Sequence, residues 1–160
     1  MAAQIACGRA QEMKMNADAL QAYLVAEFPQ AFGPDRPHRV VRVEAAGVSL
    51  TLEASEEHLR PGDTVSGPSM MGLADIAAYA AILAAIGPVP LAVTTNFSIN
   101  FLRKPPPGLL VADARLMKLG KRLAVCEVGL RAPHAGAEPF AVTGAEELCA
   151  HAVTTYSIPV

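Results

Sequence analysis

The chain has 160 residues, 52% of them hydrophobic and 18% charged, with a net charge of −2 and an isoelectric point of about 6.1. This composition excludes a disordered chain and fits one domain with a sizeable core. Because basic residues are not in excess, nucleic acid is not an expected partner. Cys7, Cys126 and Cys149 are odd in number and lack metal-ligand spacing, so we expect neither a disulfide framework nor a metal site.

The N-terminus lacks a long apolar run after a basic start, so we expect no signal peptide and a cytoplasmic protein. We expect residues 1–15 to be a loose segment and residues 16–160 to form a single domain. From Asn16, a candidate N-cap, apolar residues recur at helical spacing as far as Phe28. Pro29 then ends this predicted helix.

Two strands are predicted within residues 40–54, where apolar and polar residues alternate on either side of a turn at residues 45–47. Each strand has one apolar face, as in an antiparallel sheet with one side against a core. Residues 58–65, which contain Pro61 and Gly62, are predicted to be a loop.

One long apolar helix is predicted over residues 68–86, since Pro68 suits a first helical position and Gly87-Pro88 is a stop signal. It would be roughly 28 Å long and apolar on every side, so we expect protein to wrap it. A membrane span is disfavoured because the stretch is rich in alanine and carries Asp75. Burying a carboxylate there without hydrogen-bond partners costs folding free energy, so Asp75 is expected to have such partners or a functional role.

Four strands are predicted after this helix, at residues 91–102, 109–119, 123–131 and 148–158, with a loop at residues 133–144. In the first of these strands the alternation predicts one apolar face and one polar face. The polar face is predicted to hold Thr94, Asn96, Ser98 and Asn100.

The predicted order of elements indicates an α+β fold in which an antiparallel sheet wraps around the central helix. A single sheet leaves one side of the helix uncovered, which favours a homodimer.

The residues around the central helix resemble a known family. Ser-Gly-Pro-Ser at residues 66–69, followed by Leu-Ala-Asp at residues 73–75, resembles the His-Gly-Gly … Leu-Ala-Asp signature of PaaI-like acyl-CoA thioesterases. Residues 93–105 resemble that family's third strand and the corner after it. The resemblance covers residues 40–158 and implies the hotdog fold.

The resemblance implies hydrolysis of an acyl-CoA thioester to a free acid and coenzyme A. Asp75 would be the base or nucleophile, the Gly67 backbone N–H the oxyanion donor, and Thr94 the hydroxyl that positions the attacking water. No metal and no bound cofactor is implied, because coenzyme A is part of the substrate. We also expect the homodimer to assemble into a dimer of dimers.

The sequence departs from the family pattern at three positions that we assign to substrate binding. Ser66 replaces the usual His, Pro68 replaces the second Gly, and Arg60 falls where an Asn often contacts the substrate. Pro68 has no N–H to donate. We add Asn96 and a set of basic residues that could hold the coenzyme A phosphates, with ordinary surface charge as the alternative. The basic set is Arg103, Lys104, Lys121 and Arg122.

Asp75 follows Gly67 by eight residues, which is roughly 12 Å along one helix. One thioester carbonyl cannot easily reach both groups of the same chain, so we expect a site shared between two subunits. A hotdog dehydratase would need a catalytic His near the helix, and none lies between His58 and His134. A non-catalytic acyl-CoA-binding or lipid-binding hotdog protein remains the alternative function, and the sequence does not identify the acyl group.

Overall fold

A six-stranded antiparallel sheet wraps around one long helix in the computed structural model, which describes residues 12–133 and 147–160. The helices are α1 (Ala17–Glu27), α2 (Pro29–Phe32) and α3 (Gly67–Ile86). The strands are β1 (His38–Glu44), β2 (Gly47–Ala54), β3 (Leu59–Arg60), β4 (Thr64–Val65), β5 (Val93–Phe101), β6 (Gly108–Leu119), β7 (Leu123–Arg131) and β8 (Leu148–Ser157). The predicted α+β hotdog architecture is confirmed.

The strand order in the sheet is β1-β2-β6-β7-β8-β5, so β1 and β5 form its two edges. The predicted loop over residues 58–65 is wrong in part, because β3 and β4 pair there as a small separate hairpin. Gly62 and Asp63 both have positive φ angles at its tip, a conformation that Gly adopts freely and Asp tolerates. Most of the loop predicted at residues 133–144 lies outside the described residues.

Helix α3 is held at both ends by local hydrogen bonds. The Ser66 hydroxyl accepts a bond from the Ser69 N–H and caps the N-terminus. The helix therefore begins at Gly67, one residue earlier than predicted, and Pro68 is its second residue rather than its first. At the other end Gly87 has a φ of 91°, which stops the helix as expected.

Small side chains allow the sheet to approach α3 closely. Most of the helix is buried, including a series of alanines such as Ala77, Ala80 and Ala84. By length and composition α3 is the one helix among the described residues that could cross a membrane. Its contacts with β2, β6 and β7 instead give it the place of a core helix.

The inward faces of the central strands complete the core around α3. Leu50 and Leu52 on β2 and Leu110 on β6 are fully buried against it. Residues 12–15, which were expected to be loose, are anchored, because the N–H groups of Lys14 and Met15 both donate to the Ala84 carbonyl. Residues 1–11 lie outside the described part of the chain.

Strand β5 does not alternate as the sequence predicted. Its pairing with β8 shifts register between Thr94 and Asn96, so the chain carries an extra residue there. Thr94 pairs with Tyr156 and turns toward α3, whereas Asn96 pairs with Thr155 on the opposite face. The prediction that Thr94 and Asn96 share one face is therefore wrong, and the bulge is the physical reason.

Candidate active site

Asp75 lies on α3 where the helix passes the beginning of β5. The Thr94 hydroxyl donates a hydrogen bond of 2.7 Å to Oδ1 of Asp75. The Tyr156 hydroxyl lies 2.8 Å from the same Oδ1 and 2.8 Å from the main-chain oxygen of Asp75. Hydrogen bonds to a charged acceptor are among the stronger ones in proteins, so these contacts offset the cost of a carboxylate in an apolar helix.

The second carboxylate oxygen of Asp75 is left for another partner. Within residues 12–133 and 147–160 no group donates a hydrogen bond to Oδ2, and no buried side-chain oxygen there lacks a partner. Oδ2 is therefore accessible from a cavity. A carboxylate with one oxygen fixed and the other accessible suits a general base or a nucleophile.

Two cavities meet at Asp75. One, of about 320 Å³, is lined by Asp75 and Glu27 together with aromatic side chains. Its aromatic lining consists of Phe28, Tyr79 and Tyr156. The other, of about 270 Å³, is lined by Met71, Gly72, Asp75, Thr94 and Phe97. Tyr79 and Met71 thus lie on opposite sides of Asp75.

Tyr156 is a site residue that the sequence did not reveal. It is 2% exposed, and its ring stacks on Tyr79 with a centroid distance of 6.3 Å. Burial, and secondly the Asp75 charge, raise the pKa of Tyr156 well above its ordinary value, so its hydroxyl keeps its proton. In the sequence it appears only as one of several apolar or aromatic residues on the last strand.

Gly67 lines a different cavity, of about 340 Å³, at the other end of β5. Its N–H is the one free amide among the first residues of α3, because Pro68 has none and Ser66 accepts bonds from Ser69 and Met70. Within the described residues no acceptor is bonded to the Gly67 N–H. An unpaired amide at a helix N-terminus is suited to stabilise a developing oxyanion.

Positive charge surrounds the Gly67 cavity. Arg60, Arg103 and Lys104 line it, and none of the three forms an ion pair within the described part of the chain. Met70 and Phe101 contribute apolar surface to the same cavity. The arrangement offers an anion a place next to the free amide of Gly67.

The remaining predicted residues lie elsewhere. The Asn96 side chain is on the outer face of the sheet, away from Asp75. Lys121 and Arg122 form the turn after β6, at the end of the sheet where Val93 begins β5, because Leu123 and Val93 both pair with Ser157. Within one chain the Val93 and Phe101 ends of the nine-residue strand β5 lie about 26 Å apart, taking the eight steps between them at about 3.3 Å each, so this basic pair is far from Arg103.

Another cavity, of about 480 Å³, lies on the outer face of the sheet and contains none of the predicted site residues. Its charged side chains are already paired, for example Arg131 with Asp113 at 2.8 Å and His151 with Glu127 at 3.0 Å. Among residues 12–133 and 147–160 no cluster of His, Cys, Asp or Glu is arranged to hold a metal ion.

Comparison with known proteins supports the fold and the class of chemistry. The model of the thioesterase superfamily matches residues 62–136. A candidate thioesterase from Silicibacter sp. TM1040 has 40% sequence identity and a TM-score of 0.78, with 95% of this chain and 97% of that chain covered. No curated protein matches the sequence significantly.

More distant structures share the fold. Zebrafish thioesterase superfamily member 2 has 18% identity and a TM-score of 0.71, with 91% of this chain and 99% of that chain covered. The Escherichia coli PaaI protein from the phenylacetic acid degradation operon has 18% identity and a TM-score of 0.61, with 77% and 80% covered.

Proposed function

Because the chain belongs to the thioesterase superfamily, we propose that it hydrolyses an acyl-CoA thioester to a free acid and coenzyme A. The resemblance carried by residues 66–75 is confirmed at the level of this superfamily, and thioester hydrolysis is the chemistry that its relatives' names support. A fold alone hosts many activities, so the residues at the site must carry the finer proposal.

The main support for the proposal is the hydrogen bonding of the Asp75 carboxylate, which leaves one of its two oxygens free. Two hydroxyls hold Oδ1, and Oδ2 is accessible between two cavities. In the proposed reaction Asp75 either takes a proton from the attacking water or attacks the carbonyl carbon itself. Both routes break the carbon–sulfur bond, release coenzyme A as a thiol once its sulfur takes up a proton, and need an ionised carboxylate with one free oxygen. In the second route water must then hydrolyse the acyl anhydride formed on Asp75, which releases the free acid and restores the carboxylate. The Thr94 oxygen can still accept a hydrogen bond from the water while its own proton is donated to Asp75.

The Gly67 cavity is the proposed site for the thioester oxygen and the coenzyme A phosphates. The Gly67 N–H would stabilise the negative charge that develops on the carbonyl oxygen in the transition state. Arg60, Arg103 and Lys104, which have no acidic partners among the described residues, would bind phosphate groups. Ser66 and Pro68 contribute indirectly, since they leave the Gly67 amide as the free donor.

We propose that the active site is completed by a second subunit. Gly67 lies next to Phe101, since a Cβ added to the glycine would be 3.4 Å from the Phe101 ring. Asp75, in contrast, contacts Thr94. The two groups therefore lie at opposite ends of β5, and they line separate cavities. Strand β5 is an unpaired sheet edge among the described strands, with Val93 and Phe101 exposed.

Antiparallel pairing of two β5 edges around a two-fold axis would bring the Phe101 end of one chain to the Val93 end of the other. Gly67 of one subunit would then approach Asp75 of its partner. The same pairing would bring Arg103 and Lys104 of one chain close to Lys121 and Arg122 of the other. These four basic residues would then surround one substrate. It would also cover the exposed side of α3 at Met71, which is 40% exposed.

The acyl group is assigned to the aromatic cavity next to Asp75. That cavity is bounded by α1, α3 and the segment that precedes β5, and no Lys or Arg lines it. Its volume of about 320 Å³ lies at the lower end of the range for small-molecule pockets, so we expect an acyl group of small or medium size. A cytoplasmic location, a dimer of dimers and the lack of a bound cofactor stay predictions.

The test of the proposed function is release of free thiol from a panel of acyl-CoA thioesters with short, long and aromatic acyl groups. Hydrolysis of at least one member, with saturation, is expected. In parallel, calorimetry measures binding of free coenzyme A. Coenzyme A binding without hydrolysis of any member would contradict the proposal and favour the non-catalytic acyl-CoA-binding alternative.

A further inference from the structure

The Tyr156 hydroxyl has two acceptors and one proton. Its oxygen is 2.8 Å from Oδ1 of Asp75 and 2.8 Å from the main-chain oxygen of the same residue. When Asp75 is ionised, the proton goes to the carboxylate, because a charged acceptor makes the stronger bond. When Asp75 carries a proton, the Tyr156 hydroxyl can turn to the main-chain oxygen. The buried hydroxyl thus keeps a partner in both states.

This arrangement affects the two states of Asp75 unequally. A hydrogen bond to a charged acceptor contributes more than one to a neutral acceptor, so Tyr156 favours the ionised carboxylate. The Thr94 hydroxyl donates to the same oxygen at 2.7 Å. Two donors on Oδ1 also restrict rotation of the carboxylate, which keeps Oδ2 directed to the cavity side.

We propose that Tyr156 is a positioning residue for the thioesterase reaction, which holds Asp75 ionised and keeps its free oxygen Oδ2 directed at the substrate. This inference rests on the proposed function. It assigns to β8 a role in the reaction that the signature residues on α3 and β5 do not include. Tyr156 donates to Asp75 rather than to the substrate, so it acts through Asp75.

Few other titratable groups face Asp75 in the described part of the chain. Glu27 at the end of α1 and Tyr79 on α3 line the same cavity, and Tyr156 faces it from β8. Cys126 on β7 interacts electrostatically with Tyr156, and its thiol stays protonated at neutral pH because burial raises its pKa to about 12. β5 supplies only the Thr94 hydroxyl. No Lys or Arg lines either cavity at Asp75, so the hydroxyl donors are the groups that favour its ionised form.

The test is Tyr156→Phe, which removes the hydroxyl and keeps the ring that stacks on Tyr79. We expect the acid limb of the kcat/KM profile to move upward by about one pH unit, the difference between a charged and a neutral hydrogen bond. The same shift is expected in a carbon-13 NMR titration of the Asp75 carboxyl, whose signal is assigned by its absence in Asp75→Asn. The NMR measurement does not depend on activity.

Tyr79→Phe is the matched control, because the Tyr79 hydroxyl donates to the Pro90 carbonyl and not to Asp75. It should leave the midpoint of the acid limb and of the NMR titration unchanged, whatever it does to KM. If Tyr156→Phe does not fold, 3-fluorotyrosine at position 156, a stronger donor of nearly the same shape, should move both midpoints downward.

The outcomes separate this inference from the proposed function. A shifted NMR midpoint in a protein that hydrolyses no acyl-CoA supports the role of Tyr156 toward Asp75 and overturns the proposed function. Unchanged midpoints in folded Tyr156→Phe, by kinetics and by NMR, overturn the inference about Tyr156. Equal shifts in Tyr156→Phe and Tyr79→Phe would also overturn it, because the effect would then come from the stacked rings.

Discussion

Two inactive variants should restore activity in a mixed dimer if the site is shared between subunits. Asp75→Asn removes the carboxylate, and Gly67→Leu fills the space around the oxyanion donor. A Cβ at Gly67 would lie 3.4 Å from the Phe101 ring, which is an ordinary van der Waals contact. The larger Leu side chain must therefore extend into the Gly67 cavity. The φ angle of Gly67 is not positive, so the backbone accepts a side chain.

The expected recovery follows from the geometry of α3. The two residues are roughly 12 Å apart along the helix, beyond the roughly 3 Å over which both must act on one carbonyl group. In a mixed dimer one site would combine an intact Gly67 with an intact Asp75, and the other site would have both changes. Random pairing makes about half of the dimers mixed, and half of their sites intact, so about a quarter of wild-type activity is expected.

The assay is thiol release after the two variants are unfolded and refolded together. Native mass spectrometry of differently tagged chains measures the fraction of mixed dimers. Gly67→Ala is the control, because it adds only the Cβ that the structure accommodates, and it should lose much less activity than Gly67→Leu. No recovery, with mixed dimers present at about half, would place Gly67 and Asp75 of one chain in the same site and refute the reasoning.

Three further outcomes follow from the same contacts. Thr94→Val should lower kcat by about 10-fold or more through loss of a hydrogen bond to a charged group, and Thr94→Ser should retain most of kcat, as steady-state kinetics would report. Arg103→Ala and Lys121→Ala should each raise KM more than they lower kcat, with a smaller effect at high salt, and an unchanged KM in both would leave these residues as surface charge. Burial raises the pKa of Cys126 to about 12, so the folded state favours the protonated thiol. Its contribution to the free energy of unfolding is complete below about pH 8.5 and is lost as the pH rises toward 12, and urea unfolding of Cys126→Ala across this range should show a shallower decline.

The sequence predicted most of the fold because strong patterns mark its elements. Helix α3 has a cap, a stop signal and an apolar composition, and β7 was predicted with its observed bounds. The hairpin of β3 and β4 was missed because two-residue strands are too short to show alternation. Asp75 stood out because it is the one charge in an apolar helix.

The surroundings of Asp75 were harder to predict because they depend on register and on distant parts of the chain. A bulge in β5 turns Thr94 toward α3, and neither Gly nor Pro marks it in the sequence. Tyr156 reaches Asp75 from a strand 81 positions further along the chain. An alternating pattern places Tyr156 on an inward face, yet it does not reveal that its hydroxyl has a carboxylate as partner.

The most direct test of the account is the activity of Asp75→Asn against the acyl-CoA that the wild type hydrolyses best. Asn has nearly the same shape, and its oxygen can still accept the bonds from Thr94 and Tyr156, so the variant should fold with a Tm at or above that of the wild type. We predict that kcat/KM falls by about 10²- to 10⁴-fold, the range expected for loss of a general base. Near-normal hydrolysis by folded Asp75→Asn would contradict the assignment of Asp75 as the group that carries out the reaction.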